Sequence, residues 1–126
     1  MNIQRIHKAS CHCGAVRFEV DLPSGLQELR RCNCSMCRRR GSIAGSVPLD
    51  GLRITGGEEK LTLYRFNTMT AEHYFCSVCG IYTHHKRRSN RDQYGFNVAC
   101  LDGVDPFALG EIPVVDGINH PCDRKP

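Results

Sequence analysis

The sequence predicts a mainly β fold with little helix, contained in one domain. Short segments in which apolar and polar residues alternate recur along the 126-residue chain, as is typical of half-buried strands. Glycine and proline lie between several of these segments, as at 22–25 and 56–57, which indicates turns between strands. Seven of the nine cysteines fall into three short clusters, and a metal bound there would add folding free energy to a thin core.

The expected elements follow one another along the chain. Residues 15–20 alternate as a strand does, and residues 22–25 form a turn. A short helical segment at 26–31 leads to the central cysteine cluster, which we place on a loop because it is short and rich in small polar residues. Further strands are predicted at 42–47, 52–55, 61–67, 72–75, 81–85 and 93–100. From about residue 103, Asp, Gly and Pro recur, so an extended C-terminal tail completes a single domain over 1–126.

Composition excludes several classes of protein. The odd number of cysteines argues against a complete set of internal disulfides. No segment reaches the ~20 apolar residues of a membrane span, and the first ten residues lack an apolar run of signal-peptide length. We therefore expect a cytoplasmic protein in a reducing compartment, where clustered cysteines more often bind metal. The net charge of +4 falls to about +1 if seven thiolates hold two Zn²⁺ ions, so it does not by itself indicate nucleic-acid binding.

The two outer clusters have the spacing of one four-thiolate zinc site. They contribute two cysteines each, more than sixty residues apart: Cys11, Cys13, Cys76 and Cys79. A structural zinc site requires four ligands in a tetrahedron, so we expect these thiols to join the predicted 15–20 strand to the central hairpin. The competing interpretation is that some of them are simply buried cysteines, since free Cys packs as a small apolar residue. His12 lies between two ligands and is expected to point away.

The central cluster, Cys32, Cys34 and Cys37, differs because it offers three thiols and lies among cations. Five arginines flank it: Arg30, Arg31, Arg38, Arg39 and Arg40. Their field is expected to lower the thiol pKa values. Three thiolates on Zn²⁺ leave a fourth position open for a substrate, as in catalytic sites. The spacing is equally compatible with a closed structural site, in which His84 or His85 would be the distant fourth ligand.

Three other features are interpreted more simply. The basic segment 84–91 is expected to be a solvated hairpin end, with a recognition loop for an acidic substrate as the alternative. Cys100 ends a predicted strand and is expected to be buried without a ligand role. Cys122 lies in the tail and is expected to be a free thiol.

These motifs together resemble the glutathione-dependent formaldehyde-activating family, which also contains the centromere-protein-V-like proteins. The matching pieces are CHCGAVRF at 11–18, CNCSMCRR at 32–39, FCSVCG at 75–80 and, more weakly, NVACLD at 97–102. The resemblance extends over about residues 6–107 and implies a β-tent fold with two zinc sites. It assigns the structural zinc to Cys11, Cys13, Cys76 and Cys79 and the catalytic zinc to Cys32, Cys34 and Cys37.

The activity that the resemblance implies is addition of the glutathione thiol to formaldehyde, which gives S-hydroxymethylglutathione. We therefore predict a zinc-dependent carbon–sulfur lyase or synthase with glutathione as its partner. Flanking arginines, foremost Arg38 and Arg39, would bind the glutathione carboxylates as bidentate partners.

Two other functions compete with this one. The first is a zinc-knuckle module that presents a basic surface to a protein or nucleic acid. Contact with nucleic acid is not expected, because the basic stretch has no aromatic residue for base stacking. The second is a thiol redox protein that uses the central cysteines as a sulfur relay. The sequence does not predict an oligomeric state.

Overall fold

The computed structural model describes residues 2–87 and 90–118. Within them lie ten strands: β1 (Ile6–Ser10), β2 (Arg17–Asp21), β3 (Arg31–Cys32), β4 (Ala44–Pro48), β5 (Leu52–Gly56), β6 (Leu61–Tyr64), β7 (Glu72–Cys76), β8 (Tyr82–Lys86), β9 (Gln93–Asn97) and β10 (Val114–Val115). The helices of these residues are short: α1 (Ser35–Arg40) and 3₁₀ turns at Leu49–Gly51, Glu58–Lys60, Val98–Cys100 and Pro106–Ala108. The predicted mainly β fold with little helix is confirmed.

The strands form three small sheets. One antiparallel sheet has the order β1-β2-β5, and a larger antiparallel sheet has the order β4-β9-β8-β7-β6. The third is a two-residue parallel pairing of β10 with β3, which aligns Val114 with Arg31 and Val115 with Cys32. This pairing brings the C-terminal part of the chain back to the central cysteine cluster.

The core lies where the two antiparallel sheets meet. Phe18 and Val20 project inward from β2, and Phe96 from β9, and these three side chains are at most 1% exposed. Burial of side chains of this size contributes about 1.5–3 kcal/mol each. Gly45 on β4 lies against the Phe96 ring, and a Cβ there would come within 2.6 Å of Phe96 Cζ. The neighbouring strand therefore needs glycine at this point.

All seven predicted strands overlap an observed strand, but three strands were missed. In β1 the inward residues are His7 and Ala9, so no alternation of large apolar side chains marks it. His7 is accommodated because its Nε2 lies 2.7 Å from the carbonyl oxygen of Asp102. The other two, β3 and β10, contain two residues each, too few to show a period.

Two local predictions are wrong. Residues 26–31 form no helix, since Glu28 has a positive φ of 55° and Arg30 pairs with Ala44. The central cysteines do not lie on an irregular loop, because Cys32 ends β3, Cys34 is the N-cap residue of α1 and Cys37 lies within α1. In the described part of the chain, no helix has the length and apolar character that a membrane crossing requires.

Candidate metal centres and the cavity at the central cysteines

The four outer cysteines lie on two turns of the same design. One turn follows β1 and the other follows β7, and each ends in a glycine with φ of 79°, Gly14 and Gly80. This left-handed conformation costs other residues about 1 kcal/mol or more, whereas glycine adopts it freely. In each turn, the first sulfur accepts a backbone hydrogen bond of 3.3 Å, Cys11 Sγ from Val16 just beyond the turn and Cys76 Sγ from Val78.

The spacing of these sulfurs fits a zinc ion. Sγ of Cys13 lies 3.7 Å from Sγ of Cys11 and 3.7 Å from Sγ of Cys76. A tetrahedron with Zn–S bonds of about 2.3 Å places its sulfurs about 3.8 Å apart. All four sulfurs, including that of Cys79, lie within 4.8 Å of one another. The outer cysteines can therefore hold a metal ion without rearrangement.

The thiols of this cluster do not ionise alike in the absence of a cation. Desolvation would raise the pKa of Cys79, but backbone N–H groups of Cys13 and Ile81 and the neighbouring thiols lower it to about 6. A backbone hydrogen bond from Ala15 lowers the pKa of Cys13, yet desolvation and the adjacent sulfurs raise it to about 11. A bound divalent cation would allow all four to be thiolates together.

The central cysteines are positioned by the start of α1. Cys34 is the N-cap residue, and its Sγ accepts a hydrogen bond of 3.3 Å from the N–H of Cys37. Cys37 thus lies one turn along, and Cys32 approaches from β3, so the three sulfurs lie within 4.8 Å of one another. Gly41, with φ of 67°, ends the helix. In the described part of the chain, no other His, Cys, Asp or Glu joins this ligand group.

The C-terminal segment covers this cluster, which sequence analysis missed. Asn33 Oδ1 accepts hydrogen bonds from the N–H groups of Gly117 (2.7 Å) and Ile118 (3.2 Å). Gly117 lies so close that an added Cβ would overlap Cys32 Sγ and come 2.7 Å from Cys34 Cβ. The sequence signal for this arrangement is limited to the two β-branched residues of β10.

A cavity of about 290 Å³ opens beside the central cysteines. Its lining includes their three side chains, three arginines and two histidines: Cys32, Cys34, Cys37, Arg30, Arg40, Arg87, His73 and His85. Arg38 and Arg39 are exposed and do not belong to this lining. Arg39 instead donates to the carbonyl oxygen of Ser35 on its own helix, at 2.8 Å. Their predicted role in ligand binding stays a prediction, whereas Arg87 was foreseen only as part of a basic segment.

Arg40 connects the cysteines to the opposite sheet. Its Nη2 donates to Cys37 Sγ at 3.4 Å, its Nη1 donates to His73 Nδ1 at 3.3 Å, and its guanidinium lies 3.6 Å from the Tyr82 ring centroid. Its Nε is buried and makes no hydrogen bond within the described residues. A buried cationic donor of this kind favours an anionic partner.

Arg40 acts on Cys37 in the expected direction, since its charge lowers the pKa of that thiol, but other groups outweigh it. A hydrogen bond with Cys32 and burial raise the pKa of Cys37, and Arg40 only partly opposes them. The physical reason is that neighbouring thiols share a proton more easily than they hold adjacent negative charges. The donor set nonetheless fits a divalent metal, because three sulfurs at this spacing require a cation to ionise together.

A second concentration of positive charge lies at the cavity wall. Arg30 and Arg87 both donate to Ser46 Oγ, at 2.8 and 3.1 Å. Arg87 also pairs with the partly exposed carboxylate of Glu28 at 2.9 Å. Burial and the charge of Arg87 lower the pKa of Arg30. Two close guanidinium groups therefore share one neighbouring carboxylate, and this wall attracts anions.

The adjacent histidines occupy opposite faces of β8. His85 lines the cavity, and its Nδ1 lies 2.6 Å from the hydroxyl oxygen of Tyr82. His84 lies 2.8 Å from Thr83 Oγ1 and stacks on the Tyr74 ring at 4.6 Å. Burial lowers the pKa of His84 to about 4. Neither imidazole belongs to the ligand group of the central cysteines.

The remaining predicted features are Cys100, the basic segment and Cys122. Cys100 is buried, and its Sγ donates to the carbonyl oxygen of Tyr82 at 3.6 Å, as expected of a cysteine without a ligand role. In the basic segment, Asn90 and Arg91 are exposed, whereas Arg87 turns to the cavity. Cys122 lies outside the described residues.

Comparison with known proteins places this fold and these clusters in a family. The family model described as glutathione-dependent formaldehyde-activating enzyme matches residues 6–111. Two relatives named as candidate enzymes of this type come from Penicillium rubens and Halomonas elongata. The first is 34% identical over 60% of this chain and 41% of its own length, and the second is 36% identical over 57% and 50%. This chain thus matches half or less of their length.

A solved structure extends the comparison to the whole fold. A crystal structure of a Rhodobacter sphaeroides protein shares 58% identity, with a TM-score of 0.83. The alignment covers 86% of this chain and 99% of that one. Because the family model spans most of the residues that carry the fold and both cysteine clusters, this chain belongs to the glutathione-dependent formaldehyde-activating enzyme family.

Proposed function

We propose that this protein is a zinc-dependent carbon–sulfur lyase or synthase that acts on a glutathione–aldehyde adduct of the S-hydroxymethylglutathione type. The observation that carries the proposal is the cavity at the central cysteines, in which a three-thiol ligand group faces cationic and imidazole side chains. Membership of the family supports the choice of glutathione and formaldehyde. The proposal includes a cytoplasmic location, where glutathione keeps thiols reduced.

In this proposal the two clusters hold zinc for different purposes. The outer cysteines, with four sulfurs, supply a closed structural site, and Cys32, Cys34 and Cys37 supply a site with one open position. Bound zinc would favour the thiolate form of a coordinated thiol and act as a Lewis acid. The protein would hold the three sulfurs close together. The N-cap hydrogen bond positions Cys34 relative to Cys37, and β3 brings Cys32 beside them.

The arginines would orient the anionic tripeptide. Glutathione carries two carboxylates, and the Arg30–Arg87 pair offers guanidinium donors of the geometry that carboxylates prefer. Arg40, which donates to Cys37 Sγ, would offset the negative charge that three thiolates and a substrate sulfur bring together. Val115 and Gly117 form part of the wall and would limit the access of water.

The chemical step is a simple addition. A sulfur–carbon bond forms between the glutathione thiol and the aldehyde carbon while the carbon–oxygen π bond breaks. The oxygen gains a proton, and the thiol loses one, so solvent exchange balances the reaction. The reverse sequence releases aldehyde, and the protein would accelerate both directions equally.

A cysteine exchanged for serine tests the proposal. Cys34→Ser removes one sulfur of the central cluster but supplies a hydroxyl at the N-cap position, where Ser is a preferred residue. Cys100→Ala, a buried cysteine outside both clusters, is the matched control. We would measure zinc by plasma mass spectrometry, glutathione binding by calorimetry, and adduct formation by exchange NMR.

The wild type and Cys100→Ala are each expected to hold two zincs, to bind glutathione and to accelerate the exchange between glutathione and its aldehyde adduct. Cys34→Ser is expected to retain one zinc and a cooperative thermal transition but to lose binding and acceleration. A Cys34→Ser protein that lacks the second zinc yet accelerates exchange as the wild type does would contradict the mechanism. An active-site role would also be contradicted by a two-zinc wild type without glutathione affinity.

A further inference from the structure

His85 on β8 lines the cavity, and Tyr82 on the same strand contacts it from outside the lining. The phenol oxygen and His85 Nδ1 lie 2.6 Å apart, a short hydrogen bond. On the neighbouring strand, Gly95 pairs with His85, and an added Cβ would come 2.7 Å from His85 Nε2. The His85 ring thus packs against the backbone of Gly95, where any side chain would collide with it. This contact fixes the position of the imidazole at the cavity.

Hydrogen bonding indicates which nitrogen of His85 carries the proton. Tyr82 is 5% exposed, and within the described residues its hydroxyl has His85 Nδ1 as its partner. If Nδ1 carried the proton, the buried phenol proton would lack an acceptor, at a cost of about 1–3 kcal/mol. The Arg40 guanidinium over the Tyr82 ring withdraws electron density and makes the phenol a better donor. The phenol therefore donates to Nδ1, and Nε2 carries the proton.

The charge around the ring keeps it neutral. Burial is the main reason that the pKa of His85 lies well below its ordinary value, and the cations of Arg40, Arg30 and Arg87 act in the same direction. Burial likewise raises the pKa of Tyr82, so it remains a phenol. A neutral imidazole with Nδ1 occupied has one remaining function, which is to donate from Nε2–H to an acceptor in the cavity.

We propose that His85 is a catalytic residue whose Nε2–H donates a hydrogen bond to the aldehyde-derived oxygen, with Tyr82 as the residue that fixes its tautomer. This assignment rests on the proposed addition of a thiol to an aldehyde. As the sulfur–carbon bond forms, the carbonyl π electrons move to oxygen, and a preformed donor stabilises the charge that develops there. The oxygen then takes a proton from solvent, and the thiol proton leaves to solvent, so His85 itself ends unchanged.

This role differs from general-base catalysis. A base would need an unprotonated nitrogen facing the substrate, whereas the Tyr82 phenol occupies the lone pair of His85 Nδ1. A neutral imidazole suits this role because it donates a hydrogen bond without losing its proton and need not be reprotonated in each turnover. His84 offers the contrast, since it is only 4% exposed and stacks on Tyr74 outside the cavity lining.

The tautomer is measured first, on zinc-loaded protein with ¹⁵N-labelled histidine. Long-range ¹⁵N NMR at pH 7 is expected to show His85 with a protonated Nε2 and an unprotonated Nδ1. Tyr82→Phe removes the phenol and is expected to shift the Nδ1 resonance and abolish the fixed tautomer. A protonated Nδ1 in the wild type would overturn the proposal, whatever the activity of the variants.

Kinetics test the catalytic role. His85→Ala is expected to lower kcat about 10²-fold while the KM for glutathione and the two zincs are unchanged, and His85→Gln, which retains an N–H donor, is expected to recover part of the loss. His84→Gln is the control and is expected to keep the wild-type kcat. An active wild type with unchanged kcat in both His85 variants would overturn this role alone. A wild type without exchange activity would instead overturn the proposed function together with it.

Discussion

The two cysteine clusters use the same ligand atom in opposite ways. The outer cluster joins turns 63 residues apart through four sulfurs that are held by backbone N–H groups. The central cluster gathers three sulfurs within six residues, at the end of a strand and the first turn of a helix. The four outer sulfurs are enough for a closed tetrahedral site, whereas the three central ones face a cavity lined by arginine and histidine. Both clusters offer only cysteine sulfur, so they differ in the number of sulfurs and in the side chains around them.

The difference in sequence separation has an energetic consequence. A link between distant turns orders a long loop, and the free energy of metal binding there is also folding free energy. A metal site formed within six residues constrains only a short segment, so its loss removes little order from the rest of the chain. We therefore expect damage to the outer cluster to unfold the protein and damage to the central cluster to leave the fold in place.

The largest expected effect is that of Cys76→Ser. Cys76 is fully buried between the two turns, and structural zinc contributes about 10–16 kcal/mol in zinc-finger peptides, which is comparable to the whole stability of a domain. The variant is expected to lose the cooperative thermal transition that Cys34→Ser keeps. Circular dichroism melts with metal analysis would show it. A Cys76→Ser protein that melts within a few degrees of the wild type would remove the distinction between the clusters.

An intermediate effect is expected from Arg40→Gln. This change removes the cation that contacts Cys37 Sγ but no metal ligand, and loss of such a supporting group typically costs 10–100-fold in metal affinity. Competition with a chromophoric chelator is expected to show weaker binding of one zinc and unchanged binding of the other.

Arg39→Gln is the matched control for Arg40→Gln. Arg39 lies on the same helix and is exposed, and its guanidinium contacts the carbonyl of Ser35 rather than a thiol. Its affinities for both zincs are expected to equal those of the wild type. Equal losses in the two variants would mean that helix charge in general, and not the contact with Cys37, holds the metal.

Local pattern made much of this molecule predictable. The period of two in segments such as Phe18 and Val20 identified the strands that bury large side chains, and the cysteine spacing identified both cysteine clusters. The same reasoning failed where the inward residue is polar, as His7 is in β1. It also failed at Cys34, whose role as an N-cap depends on a helix too short to show a periodic pattern.

The cavity was harder to predict because distant segments build it. Arg87 reaches the wall through its bond to Gln93 and the pairing of β8 with β9, and neither is visible in the cysteine motifs. Of the five flanking arginines, Arg30 and Arg40 line the cavity, whereas Arg38 and Arg39, the foremost candidates by sequence, are exposed on the helix. Proximity along the chain is thus a weak guide to cavity lining on a helix, where side chains one residue apart point in different directions.

The smallest expected effect concerns the C-terminal segment that covers the central cluster. Gly117→Ala would place a methyl group against Cys32 and Cys34, and overpacking of this kind typically costs 1–3 kcal/mol. Because the segment is held to the protein by Asn33 and a two-residue pairing, it is expected to loosen locally rather than unfold the protein. Amide exchange at Ile118 is expected to accelerate about fivefold, which corresponds to ~1 kcal/mol.

The control for this last variant is Gly56→Ala. An added Cβ at Gly56 lies 3.9 Å from Arg17 Cβ, an ordinary contact, and Gly56 is remote from the central cysteines. Exchange at Ile118 is expected to stay at the wild-type rate in this control. If Gly117→Ala also leaves the rate unchanged, the segment does not pack on the cysteines, and the contrast between the clusters rests on ligand number and cavity lining alone. If only Gly117→Ala accelerates exchange, the central cluster is enclosed by a part of the chain that the outer cluster does not need.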